Sequence, residues 1–168
     1  MKGHRDIHPA FQWLWRSCSQ LKHKIFFWLL LRDRLNVRGM LRRKTMYLDD
    51  YTCVFCTCRD DETITHLFLN CPFSQQCWIS IGLHIQSNMG PLAVLEDLRR
   101  QIAEPFFMEV ITLMSWSIWN ARNNFIFKNE AFSIQGTKNA FIKEFALVIQ
   151  RAKTKYFPNI VQWLQSQA

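Results

Sequence analysis

Cys53-Val54-Phe55-Cys56, nine further residues, then His66-Leu67-Phe68-Leu69-Asn70-Cys71 is the stretch around which the chain is organised. Structural Zn²⁺ takes four Cys or His ligands in a tetrahedron, and a two-residue gap lets one tight turn aim both thiolates of a pair at the same ion. Cys53 and Cys56 have that gap. His66 and Cys71 are separated by four residues, about one helical turn, so a ring and a thiolate can come off the end of a short helix toward the first pair. The acidic segment Arg59-Asp60-Asp61-Glu62 makes the turn between the pairs, and Thr63 and Thr65 help to start the helix that carries His66. Cys58 is the main rival for a ligand position, although its one-residue gap from Cys56 suits chelation poorly, and Cys77 is the next. Both also read as small buried apolar residues.

The six cysteines are clustered with a histidine, and no secretory signal accompanies them. That pattern favours metal in a reducing compartment over disulfides. The apolar run Ile25–Leu31 follows lysines as a signal peptide would, but it is too short to span a membrane and no small-residue cleavage site follows. An intracellular protein, nuclear or cytoplasmic and not secreted, is expected. At 168 residues, 49% of them hydrophobic and 14% aromatic, the chain has enough apolar material for a real core.

The net charge of +8 is unevenly spread, with +7 in residues 1–50, −2 in 51–100 and +3 in 101–168. Three thiolates and one Zn²⁺ would leave the metal knot near −1, so the positive field lies ahead of it.

Phe11, Leu14, Trp15 and Cys18 give a first amphipathic helix one apolar face, with Pro9 suited to its first turn. From Gln20 to about Arg34, Leu21, Ile25, Phe26, Phe27, Trp28, Leu29, Leu30 and Leu31 wrap most of a helix in apolar surface, which predicts a central helix. A shorter helix follows around Val37–Arg43. If Arg34, Arg38 and Arg42 fall on successive turns they form a ridge, with Arg43 and Lys44 at its end. A phosphate backbone is the natural partner of such a ridge; a solvated face is the other reading. Pro72 opens a helix to about Ile81, and Gln86–Gly90 is a boundary or hinge. Pro91 opens the next helix, with Leu95, Leu98 and Ile102 inward and a Glu96–Arg100 pair outward. Phe106 to about Phe127 reads as one long helix. The aromatic stripe Trp116, Trp119, Phe125 and Phe127 could stack nucleobases, but helical spacing and apolar neighbours favour core packing. The last long helix, Ile134 to about Tyr156, turns Phe141, Phe145, Val148, Ile149 and Ala152 inward and Lys138, Lys143, Glu144 and Arg151 outward. A final turn with Ile160, Val161, Trp163 and Leu164 packs back or presents an apolar patch. Strand is expected only as a short pair around Tyr51–Val54.

Catalytic patterns are lacking. There is no Gly-rich phosphate loop, Gly-x-Ser-x-Gly elbow or His-Glu-x-x-His helix. Tyr47-Leu48-Asp49-Asp50 has the form of a polymerase Asp-Asp turn, but the strands and third carboxylate of such a site are missing, and Asp60-Asp61 has no better context. His4, His8, His23 and His84 have no ligand spacing. Four protein ligands fill the zinc, leaving no position for a catalytic water.

Phe27-Trp28-Leu29, Arg34-Leu35-Asn36, Cys53-Val54-Phe55-Cys56, Glu62-Thr63, His66-Leu67-Phe68, Cys71-Pro72-Phe73 and Cys77-Trp78 resemble the zinc-binding domain that follows the reverse transcriptase in plant non-LTR (LINE-type) retrotransposons. Trp116-Ser117-Ile118-Trp119, Arg122-Asn123 and Ile126-Phe127 are similar to the tryptophan-rich segment that commonly follows it. The similarity covers roughly residues 10–130.

The expectation is therefore a mainly α protein: a small helical domain, residues 10–85, stapled by one Cys3His structural zinc (Cys53, Cys56, His66, Cys71), then a helical C-terminal region, residues 91–168. The resemblance implies a non-catalytic accessory module that holds RNA or DNA, with Arg34, Arg38, Arg42, Arg43 and Lys44 as the candidate phosphate face. With Met at residue 1 and no polymerase domain following, a remnant or domesticated piece is expected. The alternative is a zinc-stabilised structural or interaction module that meets a polymerase domain or another protein. Neither a membrane nor a small-molecule substrate is expected.

Overall fold

The computed structural model describes residues 8–152 and 156–167, apart from the side chain of Ile149. It is mainly helical, with α1 Pro9–Arg16, α2 Leu21–Leu31, α3 Arg38–Arg43, a π-helical turn His66–Asn70, α4 Pro72–Ile79, α5 Pro91–Ile102, α6 Phe107–Lys128, α7 Ile134–Ile149 and α8 Phe157–Ser166. The only β pairing among the described residues is one antiparallel bridge, Thr52 to Asp61.

Local chemistry sets the boundaries. Proline stands in the first turn of α1, α4, α5 and α8, where its missing N–H costs nothing and its fixed φ suits the helix. The His8 ring accepts from the Ala10 N–H at 3.1 Å, and Ser133 Oγ accepts from the Gly136 N–H at 3.0 Å at the start of α7. Left-handed residues end two helices, Ala103 after α5 and Asn129 after α6.

The central helix is α6, which packs against α1, α2, α4, α5 and α7. Its buried positions include Met108, Val110, Ile111, Leu113, Met114 and Ile118, and burying each such side chain contributes about 1.5–3 kcal/mol. The expectation of α2 at the centre is corrected: only His23, Phe26 and Phe27 are buried there, and Leu21 and Ile25 are 63% and 46% exposed. Apolar composition all round a helix does not require that protein cover every side of it.

The aromatic stripe divides. Trp116 and Trp119 pack on Phe26, and Phe125 packs on Phe132, whereas Phe127 is exposed. The C-terminal segment folds back, with Ile160 buried and Trp163 against Phe106, Phe141 and Phe145. The outward pair on α5 is Glu96–Arg99, at i,i+3, with Asp97–Arg100 beside it, and not Glu96–Arg100. Glu144 does not face solvent alone: it lies 3.5 Å from the buried ring of His23. Residues 153–155, expected to continue the last long helix, the inward side chain expected of Ile149, and His4 lie outside what is described.

Candidate metal centre

The segment before the π-turn is a tight hairpin-like loop. Cys53 N–H donates to Asp60 O and Glu62 N–H to Tyr51 O, both at 2.9 Å. This pairing brings Asp60-Asp61 back over the Cys-x-x-Cys turn. Arg59 takes a positive φ of 59° at the reversal. Thr63 Oγ1 accepts from the His66 N–H at 3.0 Å, so Thr63 caps the helical turn as its position suggested. Over the following residues the backbone widens to i→i+5 bonding, and Cys71 N–H donates to His66 O at 2.7 Å. A single π-turn of this kind often marks a functional site. Here it fits four residues between His66 and Cys71 and still turns both inward.

The result is a four-membered cluster of Cys53, Cys56, His66 and Cys71, whose donor atoms all lie within 4.8 Å of one another. Cys53 Sγ and Cys71 Sγ are 3.8 Å apart, and Cys56 Sγ is 3.3 Å from His66 Nε2. A disulfide needs sulfurs about 2.05 Å apart. Tetrahedral zinc, with bonds of about 2.3 Å to sulfur and 2.0–2.1 Å to nitrogen, needs thiolate pairs about 3.8 Å apart and thiolate–imidazole pairs about 3.6 Å apart. The cluster could hold one zinc.

His66 presents Nε2 to the thiols, while Nδ1 lies 3.6 Å from the Asp60 carboxylate. A carboxylate behind a ligating imidazole fixes the ring's tautomer and orientation. The thiols are graded. Cys71 is pulled below the ordinary thiol range by the hydrogen bond from the Cys53 thiol, with help from the Ser74 and Phe73 N–H groups and against burial. Cys53 is pushed up, first because it donates to Cys71 and then by burial. Cys56 is pushed up to about 11, chiefly by burial. One thiolate forms readily and further negative charge is resisted. A bound dication removes that resistance, because it deprotonates coordinating thiols outright.

Neither rival belongs to the cluster. Cys58 is exposed on the loop. Cys77 is buried on α4, with its thiol pushed up to about 12 by burial, and is a core residue. Phe55, inside the Cys-x-x-Cys turn, packs on Phe73 and Phe132 at ring separations of 4.3 and 4.8 Å. The knot is thereby pinned to α4 and to the segment between α6 and α7.

A second anchor was not anticipated. Glu62, fully buried, accepts from Arg122 Nη2 at 2.6 Å and Nε at 3.2 Å, and its Oε1 also accepts from the Arg38 N–H at 2.9 Å. The Arg122 guanidinium lies over the Trp119 ring at 4.9 Å. The backbone carbonyl of Glu62 accepts from Gly39 N–H at 2.9 Å. A Cβ at Gly39 would stand 2.9 Å from that oxygen, so only glycine permits this approach of α3 to the metal loop. Glu62 thus ties the loop to α3 and α6 together. The only sequence signal was the sole arginine of α6 and a glutamate between the two pairs.

The basic residues do not form one helical ridge. Arg34 precedes α3, at the turn that closes α2, where its N–H donates to Leu29 O at 2.8 Å, because Leu35 and Val37 turn into the core and the helix starts only at Arg38. Three of the remaining cations have acidic neighbours. Arg38 Nη1 donates to Thr52 O at 2.9 Å and lies 3.7 Å from Asp50; Arg42 pairs with Asp61 at 2.5 Å and stacks on Tyr51; Arg43 pairs with Asp33 at 2.9 Å. Lys44 donates to Asn36 Oδ1 at 3.0 Å. The Asp49-Asp50 pair sits in a loop where Asp50 accepts from the N–H and hydroxyl of Thr52, an Asx turn that explains why its carboxyl lies below the usual range.

No helix among the described residues is long and apolar enough to cross a membrane. Neither the curated proteins nor the solved structures contain a match to the chain. Residues 1–78 match the family model described as zinc-binding in reverse transcriptase, a span that holds all four cluster residues and Glu62 and stops short of Arg122.

Proposed function

We infer that this chain is a non-catalytic accessory module, of the kind found beside the reverse transcriptase of plant non-LTR retrotransposons, in which a Cys3His zinc fixes a fold that holds RNA or DNA. The observation that carries the reading is the four-residue Cys3His cluster lying inside the segment that matches a reverse-transcriptase zinc-binding family. With four protein donors the zinc has no position for a reacting water, so its role is a crosslink that makes metal binding part of folding. The +7 charge of residues 1–50 supports a polyanionic partner. Arg34, Arg38, Arg42, Arg43 and Lys44 are the proposed phosphate contacts.

The carboxylates beside Arg38, Arg42 and Arg43 favour a second reading, in which this face is a structural or protein-docking surface. Titrating zinc-loaded protein into single-stranded RNA and duplex DNA at several salt concentrations separates the two. Binding that weakens steeply with salt, and is lost on neutralising the five residues together, supports nucleic-acid contact. No binding at low salt favours the structural or interaction module.

A further inference from the structure

Successive residues of α1 point in different directions, 100° apart. Leu14 is buried, Trp13 packs edge-on against Phe107 at 5.4 Å, and Trp15 is left 47% exposed. Trp15 stands on one wall of an open cleft between α1 and α2, lined by Phe11, Gln12, Trp15, Arg16, Trp28 and Arg32, with a volume of about 430 Å³. That is within the range of ligand-binding clefts, roughly 300–1,000 Å³. The Arg32 guanidinium lies 5.4 Å from the ring centres of both Phe11 and Trp28. Arg16 and Arg32 are exposed and, unlike Arg38, Arg42 and Arg43, neither pairs with a carboxylate among the described residues.

No Asp or Glu occurs from His8 to Arg32, where Arg16, Lys22, Lys24 and Arg32 are the charged residues. Asp33, next to Arg32 in the chain, pairs with Arg43, and Glu109 of α6 is buried and accepts from the Cys18 N–H. The exposed Trp15 ring and the arginines beside it, which no carboxylate pairs among the described residues, match the two parts of an unpaired nucleotide. The base stacks on the ring and the phosphate meets the guanidinium. Duplex hides its base faces and offers only the second part.

We propose that the α1–α2 cleft is a binding site for single-stranded nucleic acid, in which Trp15 stacks a base and Arg16 and Arg32 contact the flanking phosphates. The proposal rests on the nucleic-acid reading above and moves its principal contact from the α3 face to this cleft.

The test uses the full, zinc-loaded chain with a fluorescein-labelled oligouridylate and an RNA duplex of the same length, read by fluorescence anisotropy. Zinc content and thermal melting verify that each variant is folded. Trp15→Ala should weaken single-strand binding about tenfold or more, abolish part of the indole quenching on binding, and leave duplex binding unchanged. The double variant R16A/R32A should flatten the log–log salt dependence for the single strand by about 1.4, roughly 0.7 per phosphate contact. Wild-type affinity in both variants, or equal affinity of the unmodified protein for single strand and duplex, overturns the cleft. If neutralising Arg34, Arg38, Arg42, Arg43 and Lys44 then removes binding, the nucleic-acid reading stands without the cleft. Absence of all binding by the unmodified protein at low salt removes both.

Discussion

Replacing Arg122 by Met tests the buried anchor behind the metal loop. The substitution keeps much of the apolar stem over Trp119 and removes both guanidinium bonds to Glu62, at 2.6 and 3.2 Å. Glu62 is fully buried, and its Oε1 keeps only the Arg38 N–H. Breaking a buried pair from one side costs about 3–5 kcal/mol, since the remaining charge has neither counter-ion nor water. Against a total domain stability of about 5–15 kcal/mol, that is a large fraction.

Glu62→Gln strands the guanidinium instead and should cost a similar amount. In the double variant E62Q/R122M both charges are gone and the amide can still accept from Arg38. It should therefore be more stable than the sum of the single losses predicts, by about 1–3 kcal/mol. Urea unfolding of all four proteins at one buffered free-zinc concentration gives the cycle, because metal binding shifts apparent stability by mass action. A loss under about 0.5 kcal/mol for R122M, or strictly additive losses, would refute the clamp.

Gly39→Ala should destabilise the protein by about 1–3 kcal/mol, because its Cβ meets the Glu62 carbonyl at 2.9 Å and one element must shift; the same urea assay reads it. His23 is held to a pKa of about 4 by burial first, then by Lys22 and Arg151, despite Glu144 at 3.5 Å. Its folded pKa is lowered from 6.5, so its contribution is present above pH 6.5 and is lost as pH falls toward 4, by about 3 kcal/mol in all. His23→Phe should flatten that part of the stability–pH profile, and an unchanged slope contradicts the assignment. Cys58→Ser should leave metal stoichiometry intact, whereas Cys71→Ser should remove one ligand and weaken zinc retention under chelator competition; equal retention in the two variants would overturn the ligand set.

Spacing made the four-residue cluster legible, because chelation is a local constraint: Cys-x-x-Cys and His-x4-Cys each lie within one turn of chain. Helix starts were legible where Pro9, Pro72 and Pro91 marked them. The partner of Glu62 was not, since Arg122 is sixty residues away and only the packing of α6 brings them together. Composition placed α2 at the centre, yet a row of apolar residues does not say whether protein covers it, and Leu21 and Ile25 are exposed. The ridge was drawn by extending helical spacing through Leu35-Asn36-Val37. Burial of Leu35 and Val37 instead draws the chain into a turn and bend, which separates Arg34 from α3. The acidic neighbours of Arg38, Arg42 and Arg43 are 12 to 19 residues away along the chain or behind a helix end in Asp33, so spacing within the ridge did not show them.

The most direct measurement is Co²⁺ substitution with absorption spectroscopy on the full chain and on Cys71→Ser. One equivalent of cobalt with intense tetrahedral d–d bands and thiolate-to-metal charge transfer, reduced in Cys71→Ser and displaced by zinc, is the result expected of a closed Cys3His crosslink. A weak octahedral spectrum, or one unaffected by loss of Cys71, would contradict it.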